Sequence, residues 1–464
     1  MNELTMNLNT KLNIPLYEQI YQYIKKEICT GELVHGEKLP STRALSKYLE
    51  VSRSTVELAY EQLFSEGYIE SIPCKGYFVA QLDGLYYHEV QKETETTKKI
   101  DEKKFQYNFT PYGIDLKSFP YNVWRKVSKE VLLNEDADLF NSGDSKGEVE
   151  LRMAIKQYLH QARGVKCNVD QIVLGAGNEY LLLLLGIILG TKHKIAFENP
   201  TYKQAYRVFE SQGFDVVSVN MDRYGMSIHE LEKTSANLAY VMPSHQYPLG
   251  IVMPVKRRME LLKWAQEVKG RYIIEDDYDS EFRYKGKPIP ALQGNDRNGK
   301  VIYLGTFSRS IAPAIRVSYM VLPEELLEVY QEKCMFMSCT VPKVDQHIVS
   351  RFMEQGHFER HLNRMRAQYK SRRDTLLTHL KPLLSKCTIR GEHAGVHVLL
   401  TFHDGRSEKE LIESAAMHDI KVYGLSGYDM ESGRCEQATI LLGYANMKEE
   451  DIIEATKILC EIWK

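Results

Sequence analysis

The chain has 464 residues, 43% of them apolar and 26% charged, with a formal net charge of −2. This length predicts two or three domains. The net charge argues neither for nor against nucleic acid as a partner. The first ten residues lack a basic start and an apolar run, and the longest apolar stretch, at 180–190, is too short to span a membrane. The eight cysteines are scattered without a Cys-x-x-Cys pair, so we expect a cytoplasmic protein with reduced thiols and no metal site.

The spacing of apolar residues over 15–79 predicts three helices followed by a hairpin. In the first helix an apolar residue recurs at every fourth position from Leu16 to Ile28. Ser41 and Ser52 are placed to cap a second and a third helix. The residues that we expect to face inward on these two helices are Leu45, Tyr48, Leu49, Val56, Ala59, Tyr60 and Leu63. Two short strands at 68–72 and 77–80 complete the pattern of a winged helix-turn-helix.

Polar and basic side chains collect where the second and third helices begin. The N-terminal end of a recognition helix meets base edges, and its free amides favour phosphate. The residues that we expect at a DNA interface are Ser41, Arg43, Ser52, Arg53, Ser54, Thr55 and, at the hairpin tip, Lys75. However, residues 1–80 contain eight basic and ten acidic residues, so the basic footprint of a DNA-binding domain is missing. A winged helix used for protein contact is therefore the alternative.

The stretch LPSTRALSKYLEVSRSTVELAYEQLFSEGYIES…KGYFV resembles the DNA-binding domain of GntR-type bacterial regulators. The resemblance implies a double-stranded DNA operator as the partner. It also implies that Arg43, Arg53, Thr55 and the wing glycine, Gly76, contact that operator. We place this module at residues 10–80.

Residues 81–106 separate the N-terminal module from the rest of the chain. Their central part, KETETTKKIDEKK at 92–104, holds nine charged residues and one large apolar residue, Ile100. A stretch of this composition does not bury enough apolar surface to fold alone, so it predicts a flexible linker. A coil of this length has a mean span of roughly 28 Å.

Residues 107–464 alternate short apolar runs with helical stretches, which is typical of an α/β domain with a mainly parallel sheet. The predicted strands are 171–174, 194–197, 238–242, 271–274, 301–304 and 317–322. In such sheets ligands bind at the carboxyl ends of the strands, so the residues that follow each run are candidates for a site.

Some of these residues suit a phosphate group. Gly177 and Asn178 begin a helix, whose N-terminal amides favour an anion. Thr306, Ser308 and Arg316 add two hydroxyl groups and a guanidinium that binds phosphate through two hydrogen bonds. A structural ion pair is the alternative role for Arg316.

Others suit a pyridine ring. Tyr202 offers an aromatic face for stacking, and Asp276 is a partner for a protonated ring nitrogen. Tyr278 is placed to hydrogen-bond a phenolate oxygen on the ring. The cap of a loop is the alternative role for Asp276.

Residues 107–464 resemble the fold type I aminotransferases that use pyridoxal 5′-phosphate, and the order of the modules resembles the MocR/GabR family of bacterial transcription regulators. The motifs that carry the resemblance are PSHQYPLG (243–250), IEDDYDSEFRY (274–284), YLGTFS (303–308) and PAIRVSYMVLP (313–323). The resemblance implies a mainly parallel sheet with a smaller C-terminal subdomain, pyridoxal phosphate as cofactor, a small-molecule effector and a homodimer. In relatives, the residues that match Asp276 and Tyr278 hold the ring.

Arg309 stands where relatives have the lysine that binds the cofactor covalently. A guanidinium stays protonated and is not a useful nucleophile, so no covalent bond and no lysine-based proton transfer is expected. Ser142 is a second departure, because relatives usually have there a tyrosine that reaches the partner subunit's phosphate.

The sequence therefore predicts a transcription regulator that senses pyridoxal phosphate, pyridoxamine phosphate or an amino compound without turnover. If pyridoxal phosphate is bound, we expect the bond to be non-covalent. Three alternatives stay open: a benign change to Arg309 in an otherwise intact site, an aminotransferase that carries an appended DNA-binding domain, and a purely structural dimerisation module without a ligand, which the retained Asp276, Tyr278 and Arg316 rank below ligand sensing.

Overall fold

The computed structural model describes residues 6, 8–9, 14–81, 104–133, 137–284, 286, 288–431 and 437–464. The chain forms two compact units, Met1–Glu102 and Lys103–Lys464. The predicted linker, residues 81–106, lies outside the described residues except at its two ends. Within the described ranges, no helix has the length and apolar character needed to cross a bilayer.

The first unit consists of three helices and an antiparallel hairpin. Its elements are α1 (Leu16–Thr30), α2 (Thr42–Tyr48), α3 (Arg53–Ser65), β1 (Ile69–Ile72) and β2 (Gly76–Val79). The side chains of Ser41 and Ser52 cap α2 and α3 by accepting hydrogen bonds from the backbone N–H groups of Ala44 and Thr55, at 3.1 and 3.2 Å. The predicted winged helix-turn-helix is confirmed, with both caps at the expected residues.

One inward position in this unit was predicted wrongly. Tyr48 is 54% exposed, whereas Leu45 is buried and Leu49 packs at the edge of the core. Tyr48 and Leu49 both lie one helical turn beyond Leu45, and in the structure Leu49 takes the inward side while Tyr48 faces out. The four residues that we expected to face inward on α3 are all buried; they are Val56, Ala59, Tyr60 and Leu63.

The second unit is built from fourteen strands and eleven α-helices among the described residues. The strands are β3 (Tyr107–Asn108), β4 (Ile172–Gly175), β5 (Lys194–Asn199), β6 (Asp215–Asp222), β7 (Gly225–Met226), β8 (Leu238–Val241), β9 (Tyr272–Asp277), β10 (Val301–Thr306), β11 (Ser318–Val321), β12 (Cys387–Arg390), β13 (His397–Phe402), β14 (Ile420–Lys421), β15 (Tyr423–Gly424) and β16 (Thr439–Gly443). The helices are α4 (Tyr121–Leu132), α5 (Val149–Arg163), α6 (Asn178–Leu189), α7 (Lys203–Ser211), α8 (Ile228–Lys233), α9 (Val255–Glu267), α10 (Glu324–Cys334), α11 (Lys343–Glu354), α12 (His357–Leu380), α13 (Glu408–Met417) and α14 (Glu449–Trp463).

The main sheet of this unit has eight strands in the order β4-β11-β10-β9-β8-β5-β6-β7. The pairs β10–β9, β9–β8, β8–β5 and β5–β6 are parallel, so the predicted mainly parallel sheet is confirmed. Strand β11 runs antiparallel between β4 and β10. Because of this reversal, Arg316 just before β11 lies at the same edge as the residues that follow β4 and β10.

Helices cover both faces of this sheet. Neighbouring residues on β9 belong to different cores: Ile274 packs with the apolar side of α6, and Ile273 packs with Trp264 of α9. A strand that is buried on both faces has no polar alternation, which is why the runs in the sequence are apolar throughout.

The C-terminal part forms a smaller subdomain, as the family resemblance implied. Strands β12, β13, β16 and β15 make an antiparallel sheet in that order. Helices α12, α13 and α14 pack on it, and Trp463 is fully buried against Phe402, with ring centroids 5.4 Å apart.

Candidate functional site

A pocket with an empty volume of about 590 Å³ lies at the edge of the main sheet where the parallel strands end. The residues that line it are Tyr112, Asn178, Glu179, Tyr202, Met242, Tyr247, Asp276, Tyr278, Thr306, Ser308, Arg309 and Arg316. Eight of the nine residues predicted for cofactor binding are in this group, and the ninth, Gly177, lies beside Arg316. The structure thus brings together predicted residues that are up to 139 positions apart in the chain, with Gly177 and Arg316 as the outermost pair of the nine.

Asp276 lies at the bottom of the pocket. It is 3% exposed and sits inside β9, which continues to Asp277 and not only to residue 274 as predicted. Its carboxylate accepts hydrogen bonds from the hydroxyl of Tyr240 and, at 3.5 Å, from the amide of Asn178. Burial raises the pKa of Asp276 to about 7, and the nearby carboxylates of Asp277 and Asp279 act in the same direction. A cationic group bound above it would favour the ionised form.

Gly177 and Arg316 form one side of the pocket. Gly177 has φ of +99°, and a Cβ atom at this position would lie 1.9 Å from Arg316 Nη2. Only glycine therefore leaves room for the guanidinium at the start of α6. Arg316 itself has the left-handed φ of +52°, and its Nη2 donates to the Ala176 carbonyl at 3.3 Å and to Glu179 Oε2 at 2.7 Å.

Two hydroxyl groups lie at the end of β10. Thr306 Oγ1 accepts hydrogen bonds from the Ser308 backbone N–H at 3.1 Å and from Ser318 Oγ at 2.8 Å. Ser308 is half-buried and lines the pocket. Since Thr306 Oγ1 is the acceptor in both bonds, its own hydroxyl proton can be donated to an acceptor in the pocket.

Tyr278 belongs to a buried hydrogen-bonded group that the sequence did not indicate. Its hydroxyl lies 3.0 Å from His245 Nδ1, and the same nitrogen lies 2.9 Å from Asp279 Oδ2. His245 is 3% exposed and Asp279 is 2% exposed. Since one ring nitrogen cannot both donate and accept, the Asp279 carboxylate is the natural acceptor for the Nδ1 proton. With its proton directed to Asp279, Nδ1 has no lone pair for the Tyr278 hydroxyl, so Asp279 is the acceptor of this cluster and the Tyr278 hydroxyl lies beside it.

Arg309 lies between two aromatic rings. Its Nη1 donates to the Pro111 carbonyl at 3.2 Å, and its guanidinium carbon lies 5.8 Å from the ring centre of Tyr112 and 5.5 Å from that of Tyr278. Among the described residues no carboxylate lies within 4.0 Å of this guanidinium. The positive charge thus faces the pocket with donors left for an anionic ligand group.

Sequence reasoning missed two tyrosines that line the pocket, Tyr112 and Tyr247, and a third, Tyr428, that contacts them. Tyr247 donates a hydrogen bond to the Tyr428 hydroxyl at 2.9 Å, and its ring lies 5.6 Å from Tyr112 and 6.3 Å from Tyr202. Tyr247 lies within the quoted PSHQYPLG motif, which was a usable signal. Tyr112 and Tyr428 come from distant parts of the chain and carried none.

The residues predicted for DNA contact lie on the surface of the first unit. Ser41, Arg43, Ser52, Arg53, Ser54, Lys75 and Gly76 are exposed, and Thr55 is half-buried. Arg53 Nε lies 2.7 Å from Glu57 Oε1 one turn further along α3, with the Arg53 side chain 65% exposed. Gly76 has φ of +110° at the hairpin turn, a conformation that side chains other than glycine rarely adopt. Whether these residues touch DNA stays a prediction.

Two family models match the chain and define its class. Residues 16–79 match bacterial regulatory proteins of the gntR family, and residues 111–459 match aminotransferase class I and II. The winged helix is thus a DNA-binding domain of the gntR type, and the pocket lies in an aminotransferase-like domain of the same chain. The chain belongs to the MocR-type family of HTH-type transcriptional regulators, in which a gntR domain precedes an aminotransferase domain.

Full-length relatives and solved structures agree with this assignment. The chain is 40% identical to the uncharacterized HTH-type transcriptional regulator YdeL of Bacillus subtilis over 100% of both chains. It is 29% identical to MocR of Rhizobium meliloti, named a probable rhizopine catabolism regulatory protein, over 97% of this chain and 94% of that one. A kynurenine aminotransferase from Pyrococcus horikoshii, solved in complex with PMP, aligns with a TM-score of 0.69 and 26% identity over 78% of this chain and 91% of that chain.

The aminotransferase class I and II fold implies a pyridoxal phosphate site, and most of the residues present fit that group. Gly177 leaves a cradle that a Cβ atom would fill, and Asp276 is a buried acid below the pocket. Asn178 Oδ1 is buried and accepts no hydrogen bond from the described part of the chain. The exception is the covalent anchor, since the lining residues of the described pocket include Arg309 and no lysine.

Proposed function

We propose that this regulator binds a small molecule in its aminotransferase-like pocket and does not turn it over. The observation that carries the proposal is Arg309, which stands in place of the anchoring lysine inside a pocket that otherwise keeps its acid, its glycine cradle and its arginine. The ligands that fit are pyridoxal phosphate held non-covalently, pyridoxamine phosphate, or an amino compound. Pyridoxal phosphate would supply an electron-withdrawing ring and an aldehyde.

Each side chain of the pocket has a binding role in this proposal. Asp276 accepts the proton of a ring nitrogen, and the new positive charge next to it lowers the raised pKa of Asp276. Arg316 and the first amides of α6 hold the phosphate group. Tyr202 covers the ring, and Arg309 donates to a ligand carboxylate or to the ring oxygen. A guanidinium has no free lone pair that takes up a proton from carbon, so Arg309 has no proton-transfer role.

The protein would act on DNA as a homodimer. The second unit has large apolar side chains on its surface; for example, Phe140 is 75% exposed and Phe336 is 85% exposed. Such exposed apolar groups are typical of a surface that binds another protein chain, which supports dimerisation through this unit. Two copies of the winged helix would then reach two half-sites of an operator. Ligand binding in the second unit would change how these two winged helices engage DNA.

Arg53→Ala should weaken operator binding by roughly five- to 150-fold, because an arginine that bonds a base edge contributes about 1–3 kcal/mol. The exposed Arg53 side chain stands at the first position of α3, where recognition helices meet bases. The measurement is a gel-shift titration of the full-length protein with its own promoter region. Lys26→Ala on α1 is the matched control, since it removes one exposed positive charge away from this helix end. Equal weakening by both variants would refute base contact by Arg53.

An aminotransferase with an appended DNA-binding domain is the second candidate, favoured by the likeness to the kynurenine aminotransferase and by the retained Asp276, Tyr278 and Arg316. Transamination needs an amine that forms a bond to the cofactor and then shuttles a proton. We therefore expect no steady-state turnover of amino acids with 2-oxoglutarate by the unaltered chain. The check is a coupled assay of the purified full-length protein, with Arg309→Lys run alongside. Turnover by the unaltered chain would establish the enzyme.

A further inference from the structure

The carboxylate of Glu179 lies among the groups that would hold a phosphate. Glu179 is the second residue of α6, and its Oε2 lies 2.7 Å from Arg316 Nη2. A Cβ atom at Gly177 would lie 1.9 Å from this Arg316 nitrogen and 2.9 Å from the same Glu179 oxygen. Burial raises the pKa of Glu179, but the bonds from Arg316 and from its own backbone N–H outweigh burial and leave the pKa below its ordinary value. A charged carboxylate thus sits in the glycine cradle.

A bound phosphate would need the same donors. The guanidinium of Arg316 and the first backbone N–H groups of α6 are the cationic and amide donors on this side of the pocket. A phosphate and the Glu179 carboxylate carry charges of the same sign, so they repel each other when both lie beside Arg316. The two anions therefore compete for Arg316.

The ion pair is weak enough to be exchanged. The side chains of Arg316 and Glu179 are 48% and 44% exposed. Ion pairs with this exposure contribute about 1 kcal/mol or less, because water screens them. A phosphate monoester carries up to two negative charges and three acceptor oxygens, and it is a stronger partner for a guanidinium than one carboxylate.

We infer that Glu179 is a specificity-determining residue, an internal anion that a phosphate monoester displaces from Arg316 and that a ligand without such a group leaves in place. This inference rests on the proposed ligand pocket. It adds the residue by which the pocket distinguishes a phosphorylated ligand from an unphosphorylated one. Glu179 lowers the affinity for the phosphorylated ligand and keeps Arg316 occupied when the pocket holds an unphosphorylated one.

Calorimetric titration of the full-length protein with pyridoxal phosphate and with pyridoxal tests the inference. Glu179→Gln should bind pyridoxal phosphate roughly fivefold more tightly than the unaltered chain, because the competing ion pair is gone. Its affinity for pyridoxal should not change. Glu324→Gln is the matched control, since it removes an exposed carboxylate from the first turn of α10 and should change neither affinity.

A second pair of variants shows whether Arg316 carries the effect. In an Arg316→Gln background, pyridoxal phosphate should bind more weakly, and adding Glu179→Gln should no longer improve it. Equal affinity of the unaltered chain and Glu179→Gln for pyridoxal phosphate would overturn the inference, as would an improvement that persists without Arg316. Absence of binding by every variant would overturn the proposed pocket itself, and with it this inference. Thermal unfolding of each variant separates loss of the fold from loss of the site.

Discussion

Arg309→Lys should restore covalent attachment of pyridoxal phosphate, whereas the unaltered chain should show none. The pocket contains the buried acid Asp276, which we propose as the partner of the ring nitrogen, and the close approach of Arg316 to Gly177, which we propose as the phosphate site. A lysine at 309 would place its amine near Tyr112 and Tyr278, where partial burial lowers the pKa of an amine and frees its lone pair. A guanidinium at the same place has no free lone pair to give.

The measurement is the intact mass of the full-length protein after incubation with pyridoxal phosphate and reduction with borohydride. We expect an unchanged mass for the present chain and a gain of one reduced cofactor for Arg309→Lys. Arg309→Gln is the control that removes the guanidinium charge without adding an amine, and its mass should also stay unchanged. An adduct on the present chain would mean that another lysine reaches the cofactor. Failure of Arg309→Lys to gain mass would show that another departure, such as Ser142, or the ion pair of Glu179 with Arg316 prevents binding.

The features that sequence reasoning found are those with a local physical cause. The serine caps of α2 and α3 and the inward face of α3 follow from residues a few positions apart. The six apolar runs each contain or overlap a strand, because a strand buried on both faces must be apolar along its length. Two strands of the main sheet were missed, β6 and β7. Strand β6 is only partly buried and its sequence DVVSVNMD has no continuous apolar run, and β7 has only two residues.

The features that it did not find depend on contacts between distant residues. The antiparallel direction of β11 follows from the chain path and not from its own residues, yet it decides that Arg316 meets Gly177. The Glu179 carboxylate beside Arg316 joins positions that are 137 residues apart. Tyr428 reaches Tyr247 across 181 residues. Spacing within one motif carries no information on such pairs.

A buried ion pair holds the strand that carries Asp276. Arg163, the last residue of α5, donates from Nε to Asp277 Oδ2 at 2.7 Å, and the two side chains are only 3% and 2% exposed. Arg163 Nη2 also donates to Ser244 Oγ at 2.6 Å, and the hydroxyl of Tyr303 donates to Asp277 as well. Every polar group of this cluster therefore has a partner, which keeps the end of β9 in place beneath the pocket.

Arg163→Met should lower the free energy of unfolding of the second unit by about 3–5 kcal/mol, because it leaves the Asp277 carboxylate buried without its counter-charge. Most of the loss should return in the double variant Arg163→Met, Asp277→Asn, which removes the uncompensated charge as well. Arg351→Met is the control; its ion pair with Glu354 is exposed, and its loss should cost about 1 kcal/mol or less.

Tryptophan fluorescence during urea unfolding is the measurement, because all three tryptophans, at 124, 264 and 463, lie in the second unit. Unfolding of the winged helix then does not contribute to the signal, which would otherwise mix two transitions. If Arg163→Met costs no more than Arg351→Met, the Arg163–Asp277 pair does not hold β9 in place. If the expected loss is found, binding of pyridoxal phosphate should weaken in the same variant, since Asp276 is the residue next to Asp277 on the loosened strand.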